Sequence, residues 1–168
     1  TKSEVDGCIE RYGLTPTQLL AKIGFFDYGG GGFHCVWVNE EDMRIMAEKN
    51  IYAVSCPASN LKLGSGIAPI DAMAKAGVKL ALGTDGAGSN NALDMFREMY
   101  LVSVLQKELL GDAAAGCADR TLQMACVGGA RAMGLDDCDD LAVGKLADLI
   151  VIDMSQPNMQ PVNNIAHN

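Results

Sequence analysis

Residues 78–86 read VKLALGTDG, an apolar strand that ends in a carboxylate set between two glycines. A charged side chain at the mouth of an apolar strand needs a metal, a cation or a proton partner, so Asp85 is a candidate for chemistry. Residues 87–94 are small and polar until a helix begins, which leaves room for a ligand. A strand, a glycine-containing loop and a helix in this order are typical of the active-site edge of an α/β protein.

The bulk composition predicts one globular domain. The chain has 168 residues, of which 49% are hydrophobic, and a formal net charge of -8. This length and apolar content suffice for a core. The negative charge argues against nucleic acid and against an anionic membrane surface, which attract clustered basic residues.

The sequence also predicts a cytoplasmic location. No apolar stretch reaches the roughly 20 residues of a membrane span, and the first residues lack a signal-peptide pattern. The six cysteines have long, irregular spacings and form no Cys-x-x-Cys pair. We therefore expect reduced, mostly buried thiols and no disulfide framework.

The pattern between residues 33 and 110 predicts three parallel βα units, because strands alternate with helices. Strands are expected over 33–38, 51–55 and 78–84, and helices over 40–49, 67–76 and 93–110. Further helices are expected over 3–12, 15–23 and 119–133, a flexible glycine connector over 28–32 and a loop over 56–65. From residue 144 to 153 the sequence reads as a turn and a strand, and the tail beyond has turn prolines but no helix. A domain boundary near residue 140 follows.

Ligands of parallel α/β proteins lie outside the carboxyl ends of the strands. The candidates there are His34 with Cys35, Ser55 with Cys56, and Asp85. A His and an Asp at neighbouring strand mouths can bind a metal, or orient and deprotonate a water. The spacing alone also allows a hydrogen-bonded core histidine and an N-capping aspartate. The other histidine, His167, is expected on the surface.

Several ordered segments closely resemble the amidohydrolase superfamily, and the likeness covers nearly the whole chain. They are HCV at 34–36, PASNLKLGSGIAP at 57–69, GTDG at 83–86, SNN at 89–91, GGARAMGL at 128–135 and GKLADLIV at 144–151. The nearest branch resembles S-adenosylhomocysteine/5'-methylthioadenosine deaminases and related chlorohydrolase-type enzymes. The resemblance implies an α/β fold, the C-terminal half of a (β/α)8 TIM-type barrel over residues 1–140, followed over 141–168 by the start of a small β-sandwich.

The same resemblance implies roles for individual residues. Asp85 resembles the metal-ligating, proton-accepting aspartate of the eighth barrel strand, and His34 the sixth-strand histidine that contacts water or substrate. Ser89 resembles a residue that contacts the purine. Ser59, Asn60 and Lys62 belong to a shared loop that is expected to shape the pocket wall.

The implied activity is the hydrolytic deamination of a purine nucleoside-type small molecule, with release of ammonia, by a divalent metal enzyme that uses zinc. The full-length protein is expected to form a homo-oligomer. Cytosine, guanine or chlorotriazine hydrolysis stays open, because many relatives have a second His at Trp37 and His-Asn-Pro at 55–57. A non-catalytic scaffold of the same fold is a further alternative.

The family's His-x-His, its fifth-strand His and its catalytic Glu are absent from the sequence. Thr1 resembles the Thr of the His-x-x-Glu-Thr motif, so we expect the chain to begin just past that Glu. With at most one metal ligand, Asp85, the isolated chain is expected to be inactive. Open sheet edges would favour its association.

Overall fold

The computed structural model describes residues 1–165, so His167 lies outside the described residues. Its centre is a parallel sheet with strand order β1-β2-β3. The strands are β1 Gly31–Phe33, β2 Tyr52–Ser55 and β3 Lys79–Leu82. The strand order follows the chain order, and helices lie in both crossovers. This confirms the predicted alternation of parallel strands and helices.

Helices make up much of the rest of the described chain. They are α1 Lys2–Tyr12, α2 Pro16–Lys22, α3 Glu40–Glu48, α4 Pro57–Lys62, α5 Ile70–Lys75, α6 Ala87–Asn90, α7 Met95–Leu110, α8 Ala118–Gln123 and α9 Gly129–Ala132. A π-helical segment, Met124–Gly128, joins α8 to α9, and a 3-10 helix spans Pro157–Met159. Asn39 caps α3 as predicted, since its side chain accepts a hydrogen bond from the N–H of Asp42.

The hydrophobic core lies between the sheet and its helices. Its buried members include Met46, Ile51, Met73, Val102 and Met124. They come from α3, the residue just before β2, α5, α7 and the π-helical segment. The core therefore holds together the strands whose carboxyl ends carry the candidate site.

The prediction for the first strand was wrong. The strand ends at Phe33, and two of its predicted residues, His34 and Cys35, have φ of 67° and 48°. This left-handed backbone is incompatible with an extended strand. Gly31 and Gly32, assigned to the flexible connector, are part of β1 instead. His34 consequently lies at the strand end and not inside the strand.

Two predicted loops contain helices. The loop expected over 56–65 includes α4, which starts with Pro57 at its first position. Proline suits that position because its fixed φ is helical and it has no N–H to leave unpaired. The small polar segment after Asp85 forms α6, a single turn. Both helices bring hydroxyl side chains to the end of the sheet.

The strand predicted within residues 144–153 was also wrong. Within residues 1–165 no strand lies in that stretch, and the side chains of Ile150 and Val151 are 74% and 90% exposed. An extended segment becomes a strand only when a neighbour satisfies its N–H and C=O groups. The 3-10 helix at Pro157–Met159 likewise departs from a tail without helices. Among the described residues, no helix has the length and apolarity to cross a membrane.

Candidate active site

Asp85 follows β3 and takes a left-handed backbone conformation, with φ of 59°. Its Oδ2 accepts hydrogen bonds from Ser59 Oγ at 2.7 Å and from Ser89 Oγ at 2.8 Å. Its Oδ1 accepts from the N–H of Gly86 at 2.8 Å. These donors, Ser59 foremost and then Ser89 and Gly86, lower the pKa of Asp85 to about 2, with a smaller contribution from the charge of His34. The carboxylate is therefore ionised at neutral pH.

The hydrogen bonds of Asp85 leave part of its carboxylate open. A carboxylate has about four acceptor directions, two on each oxygen. Ser59 and Ser89 occupy both directions of Oδ2, and Gly86 occupies one of Oδ1. The remaining direction on Oδ1 is available to a cation or to the proton of a water.

His34 lies beside Asp85 across the end of the sheet. Its Nε2 is 4.0 Å from Asp85 Oδ2, and its Nδ1 is 2.8 Å from Asn60 Oδ1. Because an amide oxygen only accepts, Nδ1 donates, and in the neutral ring the lone pair is on Nε2. Asn60 is buried in α4 and so fixes the orientation of the ring. The structure thus brings together His34 and Asp85, as the sequence predicted.

The remaining strand-end candidates are not suited to nucleophilic chemistry. Burial raises the pKa of the Cys35 and Cys56 thiols to about 11, so both are protonated at neutral pH. Cys35 Sγ donates to the carbonyl of Gly32 at 3.4 Å, and Ser55 is buried. All six cysteines are free, as expected, but the expectation that most are buried was wrong, since only Cys56 is fully buried and the others are partly or largely exposed.

The segment after β2 contributes more to the site than the sequence predicted. Ser59, expected to shape a pocket wall, is fully buried and bonds Asp85 directly. Lys62 Nζ donates to the carbonyl of Gly88 at 2.8 Å and to Asn91 Oδ1 at 2.6 Å, so it holds the loop around α6. The signal in the sequence was a pair of consecutive polar side chains, Ser59 and Asn60, shortly after the strand that ends at Ser55.

A cleft of about 460 Å³ opens on the His34 side of the site. Its walls come from α1, α2 and the outer edge of β1, and they include Phe33, Trp37 and Leu63. The indole N–H of Trp37 donates to the carbonyl of Ser65 at 2.8 Å, so the ring offers the cleft an apolar surface. Asp85 does not line this cleft, and the carboxylate and its partners, not the cleft, define the site.

The fit of the site to a metal is partial. Asp85 and His34 supply a carboxylate oxygen and an imidazole nitrogen, which are donors that zinc accepts. Within the described residues, no group of three His, Cys, Asp or Glu side chains could hold a metal ion. Catalytic zinc takes about three protein ligands. Asp85 and His34 thus offer two donors of a kind that zinc accepts, and among residues 1–165 they do not complete a zinc site.

The chain belongs to the amidohydrolase family, whose profile matches residues 1–168. The 5-methylthioadenosine/S-adenosylhomocysteine deaminase of Moorella thermoacetica is 45% identical over 169 residues, which is 100% of this chain and 40% of that protein. The 5'-deoxyadenosine deaminase of Methanosarcina acetivorans is 42% identical over 161 residues, 96% of this chain and 37% of that protein. The chain thus spans about two fifths of the curated relatives it matches.

Solved structures agree with the fold. An adenosine deaminase from Xanthomonas campestris with bound zinc superposes with a TM-score of 0.92 at 39% identity, over 99% of this chain and 38% of that one. An atrazine chlorohydrolase from Arthrobacter aurescens complexed with zinc has a TM-score of 0.87 at 24% identity, over 97% of this chain and 36% of that one. At that identity the second likeness concerns the fold alone.

Proposed function

We propose that the chain is part of a metal-dependent hydrolytic deaminase that acts on a purine nucleoside-type substrate such as S-adenosylhomocysteine or 5'-methylthioadenosine. The observation that carries the proposal is the pairing of an ionised Asp85 with an oriented His34 at the carboxyl end of a parallel sheet. The names of the two relatives, which cover 100% and 96% of this chain at 45% and 42% identity, support the substrate class.

We also infer that residues 1–140 are the C-terminal βα units of a (β/α)8 barrel and that residues 141–168 begin a β-sandwich. Sequential order of parallel strands, as in β1-β2-β3, is the order around a barrel. The exposed apolar run from Leu149 to Ile152 supports the second inference, since such a run forms a strand once it has a partner.

The open acceptor direction on Asp85 Oδ1 is where a divalent metal would bind, and Oδ2 would receive the water proton in place of the Ser59 or Ser89 hydroxyl. When bound, such a metal, zinc by analogy with the adenosine deaminase, would lower the pKa of its bound water to about 7. Asp85 itself is a weak base with a pKa of about 2. If Ser59 or Ser89 turned its hydroxyl away from the carboxylate, the pKa of Asp85 would rise, and proton transfer to Asp85 would be favoured.

His34 would hold the attacking water or the substrate through Nε2, while Asn60 prevents rotation of the ring. The water oxygen adds to the purine carbon that carries the amino group. The C–N bond then breaks, the proton passes to the departing nitrogen, and ammonia leaves with an inosine-type product. Ser89, 2.8 Å from Asp85, lies where it could contact the purine.

The test is an ammonia-release screen of the full-length protein that contains this chain. Adenosine analogues are compared with cytosine, guanine and a chlorotriazine, with and without zinc. We expect release from S-adenosylhomocysteine or 5'-methylthioadenosine, and a loss of about 10³-fold in Asp85→Asn, because the proton acceptor is removed.

Asp153→Asn is the matched control, since the pKa of Asp153 is also about 2 but its side chain lies in the tail. The control should keep its activity. Full activity in Asp85→Asn would overturn the role of Asp85. Release only from cytosine, guanine or the chlorotriazine would show that the substrate is not a purine nucleoside. Release from no substrate would favour the non-catalytic scaffold.

A further inference from the structure

Glu98 is a buried carboxylate that the proposed reaction does not use. It lies in the first turn of α7 and is 0% exposed. Among residues 1–165 it forms no ion pair with a basic side chain. Burying a carboxylate away from any cation is unfavourable unless hydrogen bonds compensate it. Hydrogen bonds must therefore stabilise the Glu98 carboxylate.

Both oxygens of Glu98 bond neighbours of the site. Oε2 accepts from the N–H of Ala58 at 3.0 Å, and Ala58 directly precedes Ser59. Oε1 accepts from Asn90 Nδ2 at 2.8 Å, and Asn90 directly follows Ser89. Glu98 thus ties together the two chain segments that carry the hydroxyl donors of Asp85.

Asn90 extends this link to Asp85. Its Nδ2 also donates to the carbonyl of Thr84 at 2.6 Å, and Thr84 directly precedes Asp85. Its Oδ1 is buried without a hydrogen-bond partner among the described residues. A reversed amide would set that oxygen against two acceptors, Thr84 O and Glu98 Oε1, so the unpaired oxygen is the less unfavourable arrangement.

We propose that Glu98 is a positioning residue of the Asp85 site: its carboxylate, through Ala58 and Asn90, keeps Ser59, Ser89 and Asp85 in register. The left-handed backbone of Asp85, with φ of 59°, is a conformation that the surroundings must enforce. The link from Glu98 through Asn90 to Thr84 supplies that restraint. The catalytic role of these residues rests on the proposed function. Their positioning by Glu98 does not depend on it.

The test is Glu98→Gln in the full-length protein. The glutamine NH2 must face either the NH2 of Asn90 or the N–H of Ala58, so one of the two hydrogen bonds is lost. We expect faster hydrogen exchange over residues 84–91 and a zinc dissociation constant raised about 10- to 100-fold. We also expect kcat to fall by more than KM changes, because the Asp85 carboxylate that takes the water proton is displaced.

Gln106→Glu is the matched control. Gln106 lies in the same helix, is also buried, and accepts from the N–H of Asp71 at 3.2 Å and donates to the carbonyl of Ala68 at 3.0 Å. This swap leaves two acceptors facing each other and buries a new carboxylate, so its loss of stability should be at least as large. Exchange should rise near residues 68–71, while zinc affinity and exchange over 84–91 should stay at the wild-type level.

The proposal is overturned if Glu98→Gln lowers the melting temperature as Gln106→Glu does but leaves zinc affinity and exchange over 84–91 unchanged. If Glu98→Gln does not fold, Asn90→Ala provides the same test, because it removes the bond to Thr84 and keeps Glu98 bonded to Ala58. A wild-type protein that releases no ammonia would refute the proposed function, whereas exchange over 84–91 would still decide the role of Glu98.

Discussion

Asp85 and Asp153 have carboxyl groups of the same acidity, yet they depend on different parts of the fold. The pKa of each is lowered to about 2 by hydrogen bonds. The main donor to Asp85 is Ser59, which is 26 residues away, whereas Asp153 is bonded by Ser155 and Gln156, two and three residues further along. The pKa of Asp85 thus depends on how β2, α4 and β3 pack together, whereas the pKa of Asp153 depends on a local turn.

The same difference separates the two regions around them. The region from β2 to α7 contributes buried side chains to the core, and hydrogen bonds between distant segments hold its strand ends. The tail from residue 141 to 165 is almost entirely exposed and keeps its order through short-range hydrogen bonds. Substitutions matched between the two regions test whether this contrast holds.

The largest effect should come from the core. Met73→Ala removes a side chain that is 0% exposed, and we expect a loss of about 3 kcal/mol in the free energy of unfolding. Ile150→Ala in the tail should change that free energy by less than about 0.5 kcal/mol. Urea unfolding of the 168-residue chain measures both. A comparable loss in Ile150→Ala would show that the tail packs on the core.

A smaller loss is expected where the π-helical segment approaches β3. A Cβ at Gly128 would lie 2.2 Å from the carbonyl oxygen of Leu80, whereas one at Gly129 would have its nearest neighbour at 3.8 Å. Gly128→Ala should cost about 2 kcal/mol, because backbone must shift. Gly129→Ala should be neutral or stabilising by up to about 1 kcal/mol. Equal melting temperatures for the two variants would contradict this close approach.

The next effect is on acidity. Ser59→Ala removes the strongest donor to Asp85 and should raise the pKa of Asp85 from about 2 toward its ordinary value. The pKa of Asp153 should not change in this variant. Carboxyl carbon NMR titration follows both groups in one sample. If the pKa values of both groups shifted, or if neither did, the proposed difference between Asp85 and Asp153 would be contradicted.

The smallest effect is on the pH dependence of stability. Because the folded pKa of Asp85 lies below its unfolded value of about 4, the stabilisation is complete above about pH 4 and is lost as the pH falls through about 2. Ser59→Ala should flatten this acid limb of the urea midpoint. Ser155→Ala should flatten it less, because the turn around Asp153 forms with little help from the rest of the fold.

Local sequence rules predicted much of this fold. Apolar runs before Ser55 and Gly83 predicted β2 and β3, and Asn39 predicted the start of α3, since such signals act over a few residues. They failed at His34, because its left-handed backbone has no simple signature in a non-glycine residue. They also failed for residues 144–153, because an apolar alternation shows a preference for strand but not the presence of a partner.

The candidate site was predicted in part. Asp85 and His34 could be selected because parallel strands end at one edge of a sheet and few polar residues follow those strands. The sequence did not predict that Ser59 donates a hydrogen bond to Asp85, or that Glu98 is buried and bonds the neighbours of Ser59 and Ser89. Their partners are 26 and 40 residues away, and nothing in a local pattern encodes such a distance.

The sequence by itself therefore determined the βα alternation, the family resemblance and the identity of the central carboxylate, because each depends on short segments. Only the tertiary structure decided which hydroxyls reach Asp85, where His34 turns out of its strand, and which residue holds the two loops together. Those outcomes depend on how α4, α6 and α7 pack across the end of the sheet. Packing is a property of side chains far apart along the chain, and a linear pattern does not contain it.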